Sequence, residues 1–292
     1  MQIFNINERF TNIPKLKTPI SLCLGYFDGV HIAHQKLINA ALINSDNQVG
    51  IITFAKNIKN RKNLTSLENR LNLFKSLKVD YVFVLPFSKL VKSLSHVKFK
   101  ELFFDQLNIK TLYAGNDFTF GKDKKGDIKY LKKYFDVCAV KFVKHENKKI
   151  SSYEIAHLIE EGNIALANHL LGRNYEIKGK VIKGYQMGRK LEYPTANIKI
   201  NSEYIVPRYG VYKVITYVLG IPRLGIANVG VHPTVNKLST PILEVYIPSL
   251  NKNIYNREIY ISFIKFIRPE KKFKSLMELK KQINKDLKEL KE

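Results

Sequence analysis

Three groups of residues carry side chains suited to phosphate chemistry. The stretch 181–198 begins apolar and opens into a loop bounded by Gly184 and Gly188, with Arg189 and Lys190 directly behind. Two glycines let a backbone approach a ligand closely, and two neighbouring cations suit a polyphosphate. The loop closes on Pro194-Thr195-Ala196-Asn197. Thr195 and Asn197 are two apart, so on an extended segment both side chains leave from one face. A hydroxyl and a carboxamide so placed can hold a hard cation through oxygen. The same residues also fit an ordinary hairpin with a glycine turn. The second group is His31 and His34, three apart where an apolar run gives way to a helical pattern. Free backbone N–H groups and the helix dipole favour phosphate there, and the two imidazoles share a face of the turn and can donate to it. Histidines so spaced are otherwise incidental or metal-binding. The third is Glu244, a lone acid within the strand-like segment 242–247, where a plain surface glutamate is the alternative.

The elements that must present these residues are readable from hydrophobic periodicity. Residues 20–26 form a short apolar run suited to a buried parallel strand. From about Val30 the chain can turn helical, with Leu37, Ile38, Ala41 and Leu42 on one stripe. Strand-like runs recur at 49–54, 81–85, 111–114 and 137–143 with helical stretches between them, and Thr65 and Glu68 are spaced as a capping box for the helix from about Ser66. This alternation predicts a doubly wound parallel sheet with its ligand cleft at the carboxyl ends of the strands. One helix ends at Glu160-Glu161-Gly162, a second runs to about Leu171, and a domain boundary is expected there, giving 1–171 and 172–292. Beyond it, alternating runs at 175–183, 210–219, 224–229, 242–247 and 257–267 are split by Gly, Pro and Asn, which predicts a small antiparallel barrel. Leu276, Leu279, Ile283, Leu287 and Leu290 recur at helical spacing, as expected of a terminal helix packed on that barrel.

Bulk properties narrow the class. A chain of 292 residues, 45% hydrophobic and 11% aromatic, is globular and long enough for two cores. No apolar run approaches the length of a membrane span, and residues 1–10 lack the apolar core of a signal peptide. Cys23 and Cys138 are too few for a disulfide framework or a zinc site, so a reduced, cytoplasmic protein is expected. The net charge of +24 could point to nucleic acid. It is spread evenly, however: 26 basic against 15 acidic residues up to position 170, and 23 against 10 after it. Lysine dominates, so a basic surface that attracts anionic nucleotides accounts for the charge with fewer assumptions.

Two motifs carry a family resemblance. Residues 184–197 resemble the GxxxGRxLGFPTAN run of riboflavin kinases. Residues 24–34 (LGYFDGVHIAH) resemble the FDGVHxGH run of the bacterial bifunctional riboflavin kinase/FMN adenylyltransferases, also called FAD synthetases. The match covers nearly the whole chain in the expected order. It implies an α/β, Rossmann-like nucleotidyltransferase domain over 1–171 and an all-β riboflavin kinase barrel with a terminal helix over 172–292. It implies ATP-dependent phosphorylation of riboflavin to FMN in the second domain and adenylylation of FMN to FAD, with pyrophosphate release, in the first. Gly25, Phe27, His31 and His34 would then bind ATP, the histidines stabilising the pentacovalent phosphorus during attack by the FMN phosphate. Residues 114–127 (AGNDFTFGKDKKGD) resemble GxDFxFGxxxxGD, which implies Asp117 at nucleotide and flavin and Phe120 at the flavin. Glu244 would be the general base on the terminal ribityl hydroxyl of riboflavin. Thr195 and Asn197 would hold Mg²⁺ and ATP phosphates, with Gly184 and Arg189 as further ATP contacts. The implied partners are small molecules (ATP, riboflavin, FMN), with neither nucleic acid nor membrane.

The chain departs from the family pattern in places. Ala33 stands at a glycine position, Ala55-Lys56-Asn57 replace a proline-histidine-proline element, and His232 stands where arginine is common. In residues 150–156 (ISSYEIA), similar to ISSTxIR, Tyr153 and Ala156 occupy the threonine and arginine positions. The lost arginine takes a phosphate-facing charge with it, so adenylylation slower than the family norm is expected. The alternatives are a riboflavin kinase whose first domain has degenerated, and a basic nucleic-acid-binding protein on a nucleotidyltransferase-like fold.

Overall fold

The structure, a computed structural model, describes residues 1–44, 46–55, 61–184, 193–231, 241–248, 250 and 252–290. The chain divides into two compact units, Met1–Ser152 and Tyr153–Glu292, a division that falls ahead of the 171/172 boundary expected from the sequence.

The first unit runs β1 (Gln2–Asn5), β2 (Ile20–Leu24), α1 (Ile32–Ile43), β3 (Gln48–Phe54), α2 (Leu67–Ser76), β4 (Tyr81–Leu85), α3 (Lys89–Ser93), α4 (His96–Leu102) and β5 (Ile109–Gly115). A hairpin of β6 (Thr119–Phe120) and β7 (Gly126–Asp127), α5 (Ile128–Leu131), β8 (Asp136–Val140) and a hairpin of β9 (Lys144–His145) and β10 (Lys148–Lys149) complete it. Six strands form a parallel sheet in the order β1-β4-β3-β2-β5-β8. Successive residues of the central strands feed opposite cores. Leu22, Leu24, Phe83 and Leu85 join a cluster with Phe99, Phe103 and Phe104, whereas Cys23, Val82 and Val84 join one with Leu37, Ile38 and Phe74. Burial on both faces is why these strands read as unbroken apolar runs. β1 was not visible in that reading. It lies at the sheet edge with three of its four residues exposed, so it carries no apolar period. From β2 the chain steps one way to β3 and β4 and the other way to β5 and β8. The switch between β2 and β5 opens a crevice at their carboxyl ends.

The second unit opens with α6 (Ser152–Glu161) and α7 (Ile164–Leu171). Gly172, at φ 70°, ends α7 in the left-handed conformation, its N–H returning to His169 O at 3.1 Å. Six strands follow: β11 (Tyr175–Ile182), β12 (Thr195–Ile200), β13 (Gly210–Val218), β14 (Ile221–Val231), β15 (Pro241–Tyr246) and β16 (Glu258–Arg268). They close an antiparallel barrel in the order β11-β12-β15-β14-β13-β16. Its interior is filled by alternate residues such as Ile177, Val181, Val214, Ala227, Val229, Leu243, Val245 and Phe263, all buried. Asn168 fastens α7 to the barrel, donating to Phe263 O at 2.8 Å and accepting from Tyr175 N at 2.7 Å. Arg208 N donates to Ile159 O at 3.2 Å and does the same for α6. These bonds explain why both helices group with the barrel. The terminal α8 (Leu276–Lys288) starts at Ser275, whose hydroxyl accepts from Glu278 N at 3.2 Å. It is held to the barrel by the buried Asp286, which receives the Arg268 guanidinium at 2.7 Å. No helix among the described residues is long and apolar enough to cross a membrane.

Candidate active sites

In the first unit, the turn between β2 and α1 lies at the switch point. Phe27 (φ 56°), Gly29 (φ 78°) and Val30 (φ 41°) all take positive φ around a 3-10 turn, Asp28–Val30. A β-branched residue there is strained, at a cost of about 1–3 kcal/mol, and persists only where its surroundings enforce it. Asp28 enforces it. The buried carboxylate accepts from Leu64 N, Thr65 N and the Thr65 hydroxyl, each at 3.0 Å, and Gly29 N donates to that hydroxyl at 3.0 Å. Burial pushes the Asp28 pKa up, against the pull of these donors and of Arg70. Thr65 is therefore engaged with Asp28 and does not form the expected capping box. The α2 cap is Ser66, which accepts from Asn69 N at 3.1 Å.

This turn delivers His31 to the N-cap of α1. His31 Nδ1 accepts from His34 N at 3.4 Å, which fixes that nitrogen as the acceptor of the ring. The two rings stack with centroids 3.6 Å apart, and Phe27 sets its ring against His34 at 5.1 Å. His34 Nδ1 is buried without a hydrogen-bond partner among the described residues. Its pKa lies well below the ordinary histidine value, first through burial and then through the charges of His31, Arg70 and Lys149. Two stacked imidazoles at a helix N-terminus, His34 of them held neutral by burial, are equipped to receive an anion.

Asp117 follows β5, on the other side of the switch point, where its carboxylate pairs with the Lys149 ammonium of β10. That ammonium also lies over the Phe142 ring at 4.1 Å. Phe120, expected at the flavin, is a core residue: its ring packs with Phe99, Phe104 and Tyr130 and stacks on the half-buried Phe118. Gly25 lies beside the Phe27 ring. Arg70 was not singled out from the sequence. It is fully buried on α2 and donates to Tyr26 O at 3.0 Å, Thr53 Oγ1 at 3.1 Å and Phe54 O at 3.2 Å. Within a mostly polar helical stretch, nothing distinguished it from a solvated arginine.

In the second unit, strand register assembles the site. Asn197 of β12 stands opposite Glu244 of β15, which stands opposite Asn228 of β14. Thr195 pairs with Tyr246 two positions along, on the same face. The flanking Leu243 and Val245 point into the core, so Thr195, Asn197, Glu244 and Asn228 occupy the outer face of the barrel. Asn197 is nevertheless only 7% exposed. Gly184 approaches it so closely that a Cβ there would overlap the carboxamide. Tyr193 sets its ring against Tyr246 at 5.4 Å and donates to Asn284 of α8 at 2.7 Å. A hydroxyl, two carboxamides and a carboxylate on one face form an all-oxygen donor set that suits a hard divalent cation. Among the described residues no group of three or more His, Cys, Asp or Glu could hold a metal, so such an ion would rest on these oxygens together with phosphate. Asn228 was missed, because its opposition to Glu244 exists only in the register.

Arg189, Gly188, Lys190 and His232 lie outside the described residues. Of the positions that depart from the family pattern, Ala33 is half-buried on α1, Tyr153 is 66% exposed on α6 and Ala156 is half-buried on the same helix.

The riboflavin kinase family model matches residues 171–292, and the FAD synthetase family model matches residues 13–154. The bifunctional riboflavin kinase/FMN adenylyltransferase of Bacillus subtilis (strain 168) is 36% identical over 285 residues, spanning 92% of this chain and 90% of that protein. The protein so named in Escherichia coli (strain K12) is 32% identical over 283 residues, spanning 91% and 90%. A crystal structure described as a macrolide-efflux protein from Streptococcus pneumoniae has the same fold, with a TM-score of 0.91 at 30% identity over 98% of this chain and 97% of that one. With both family models matched in order and this identity sustained along nearly the full length of its relatives, the chain belongs to the bifunctional riboflavin kinase/FMN adenylyltransferase family.

Proposed function

We propose that the chain phosphorylates riboflavin to FMN through its barrel and adenylylates FMN to FAD through its parallel-sheet unit. The working division is 1–171 for adenylylation and 172–292 for the kinase. The observation that carries the reading is the register that sets Glu244 between Asn197 and Asn228, beside Thr195. Glu244 takes the proton of the terminal ribityl hydroxyl as that oxygen attacks the γ-phosphorus of ATP and ADP departs. Thr195 and Asn197 orient the phosphates, with Gly184 and Arg189 as further contacts, and hold Mg²⁺. The ion, when bound, neutralises charge on the phosphates. Positioning and charge stabilisation are most of what phosphoryl transfer requires.

In the other unit, a phosphate oxygen of FMN attacks the α-phosphorus of ATP, forming the new P–O bond as the bond to the β-phosphate breaks and pyrophosphate leaves. The donors on the growing negative charge are the His31 imidazole and the first N–H groups of α1. His34, kept neutral, supports His31 by stacking. Asp117 is released from Lys149 to meet the nucleotide and flavin, and Phe120 supports Phe118 from the core at the flavin side. Gly25 and Phe27 line the ATP side. The substrates are small molecules, nucleic acid is not a partner, and the work is done in the cytoplasm.

The test is to incubate pure protein with riboflavin, ATP and Mg²⁺ and separate the flavins, with Glu244→Gln alongside. FMN and FAD are both expected from wild type. The variant should lose about 10²–10⁴ in FMN formation while still making FAD from supplied FMN. Equal loss of both reactions in a folded variant would overturn the Glu244 assignment. Absence of FAD from wild type at saturating FMN and ATP would reduce the chain to a kinase.

A further inference from the structure

Arg70 is the largest fully buried side chain described, and its surroundings are unusual for a cation. A guanidinium stays charged at any ordinary pH, and burying it is costly unless a counter-charge sits beside it. Among the described residues Arg70 forms no ion pair with a carboxylate. Its acceptors are neutral: the carbonyls of Tyr26 and Phe54 and the Thr53 hydroxyl. The Tyr26 ring covers it at 4.4 Å, and its Nε is buried with no hydrogen-bond partner among the described residues. The Thr53 hydroxyl donates in turn to Tyr26 O at 2.9 Å. This one side chain therefore ties the segment leaving β2, immediately before the turn that carries His31, to the carboxyl end of β3. The fixed positive charge of Arg70 is thus close enough to the start of α1 to act on His34.

We propose that Arg70 is a positioning residue for nucleotidyl transfer: it clamps the β2–α1 turn to the end of β3, and its buried charge, near Asp28 but not ion-paired with it, draws the phosphates of the bound nucleotide to that turn. The proposal rests on assigning adenylylation to the first unit. The influence of the charge on the turn is consistent with it, since Arg70 helps to hold down the pKa of both Asp28 and His34. The charged groups acting on His34 are His31, Arg70 and Lys149.

The experiment uses full-length wild type, Arg70→Met and Arg70→Lys. FAD formation from FMN and ATP is measured beside FMN formation from riboflavin, the latter reporting a folded chain. Pyrophosphate binding is measured by calorimetry and the His34 ring is titrated by NMR. Arg70→Met should lower kcat/KM for FAD formation by about 10²-fold, as losing a preorganised donor does, with the kinase reaction unchanged. It should also weaken pyrophosphate binding by about tenfold and move the His34 titration to higher pH. Arg70→Lys keeps the charge but not the fork. It should restore pyrophosphate affinity and the His34 titration while kcat for FAD formation stays low. FAD formation by Arg70→Met near the wild-type rate overturns the proposal, as do unchanged pyrophosphate binding and His34 titration. If Arg70→Met does not fold, Arg70→Lys decides, and a folded lysine variant with wild-type kcat overturns the clamp. Should wild type make no FAD, the adenylylation reading falls, while pyrophosphate binding and the NMR titration still judge Arg70.

Discussion

Gly184→Ala isolates what the loop does to the kinase face. Gly184 does not have a left-handed φ, so alanine can adopt its backbone and the added methyl acts only through what it strikes. It strikes the Asn197 carboxamide, and among the described residues no other neighbour is nearer. Ordinary contact begins at 3.4 Å, so relief of the overlap requires a movement of about 1 Å by the loop or by Asn197. A displacement of that size at a positioning group can cost about 10²-fold in rate, equivalent to about 2.7 kcal/mol. Riboflavin kinase kcat/KM should therefore fall by about that factor, while FAD formation from FMN stays at the wild-type level. A double-mutant cycle sharpens the test. In an Asn197→Ala background the overlap is gone, so Gly184→Ala should add little to the defect already present. If the two substitutions multiply independently, or if Gly184→Ala alone leaves the kinase untouched, the contact is not what matters and the reasoning fails.

Asn197→Ala and Thr195→Ala each remove an oxygen from the proposed cation face and should raise the Mg²⁺ concentration for half-maximal kinase activity, read from a Mg²⁺ titration at fixed ATP. An unfolded histidine titrates near 6.5 and His34 titrates well below that in the fold, so between the two values the unfolded chain binds more protons. Its share of stability is thus whole above about pH 6.5 and declines as pH drops below it. Thermal midpoints at pH 5.5 and 7.5 should differ less for His34→Gln than for wild type. Asp286→Ala leaves the Arg268 side chain, 19% exposed, without the carboxylate it binds in bidentate fashion. Stability to urea should fall by about 3 kcal/mol, the lower end for a broken buried pair, since Arg268 keeps some access to water.

The sequence by itself determined the class of both halves, and the reason is local. The residues of 81–85 are apolar throughout because both faces of β4 are covered, and 242–247 alternates because β15 is covered on one. Periods of that kind survive without knowledge of any partner. His31 and His34 were legible for the same reason, being three apart at a helix start, as was the common face of Thr195 and Asn197. Features that depend on distant partners were not legible. β1 has no period because its role is to pair at an edge. Thr65 has the spacing of a cap, yet Asp28 claims its hydroxyl across 37 positions. Arg70 and Asn228 are ordinary residues in their own segments. Tertiary structure alone brings the carbonyls of Tyr26 and Phe54 to one and Glu244 to the other. Parallel strand order and barrel register are set by burial summed over many strands, so the side chains that face each other across them are decided only when the whole sheet closes.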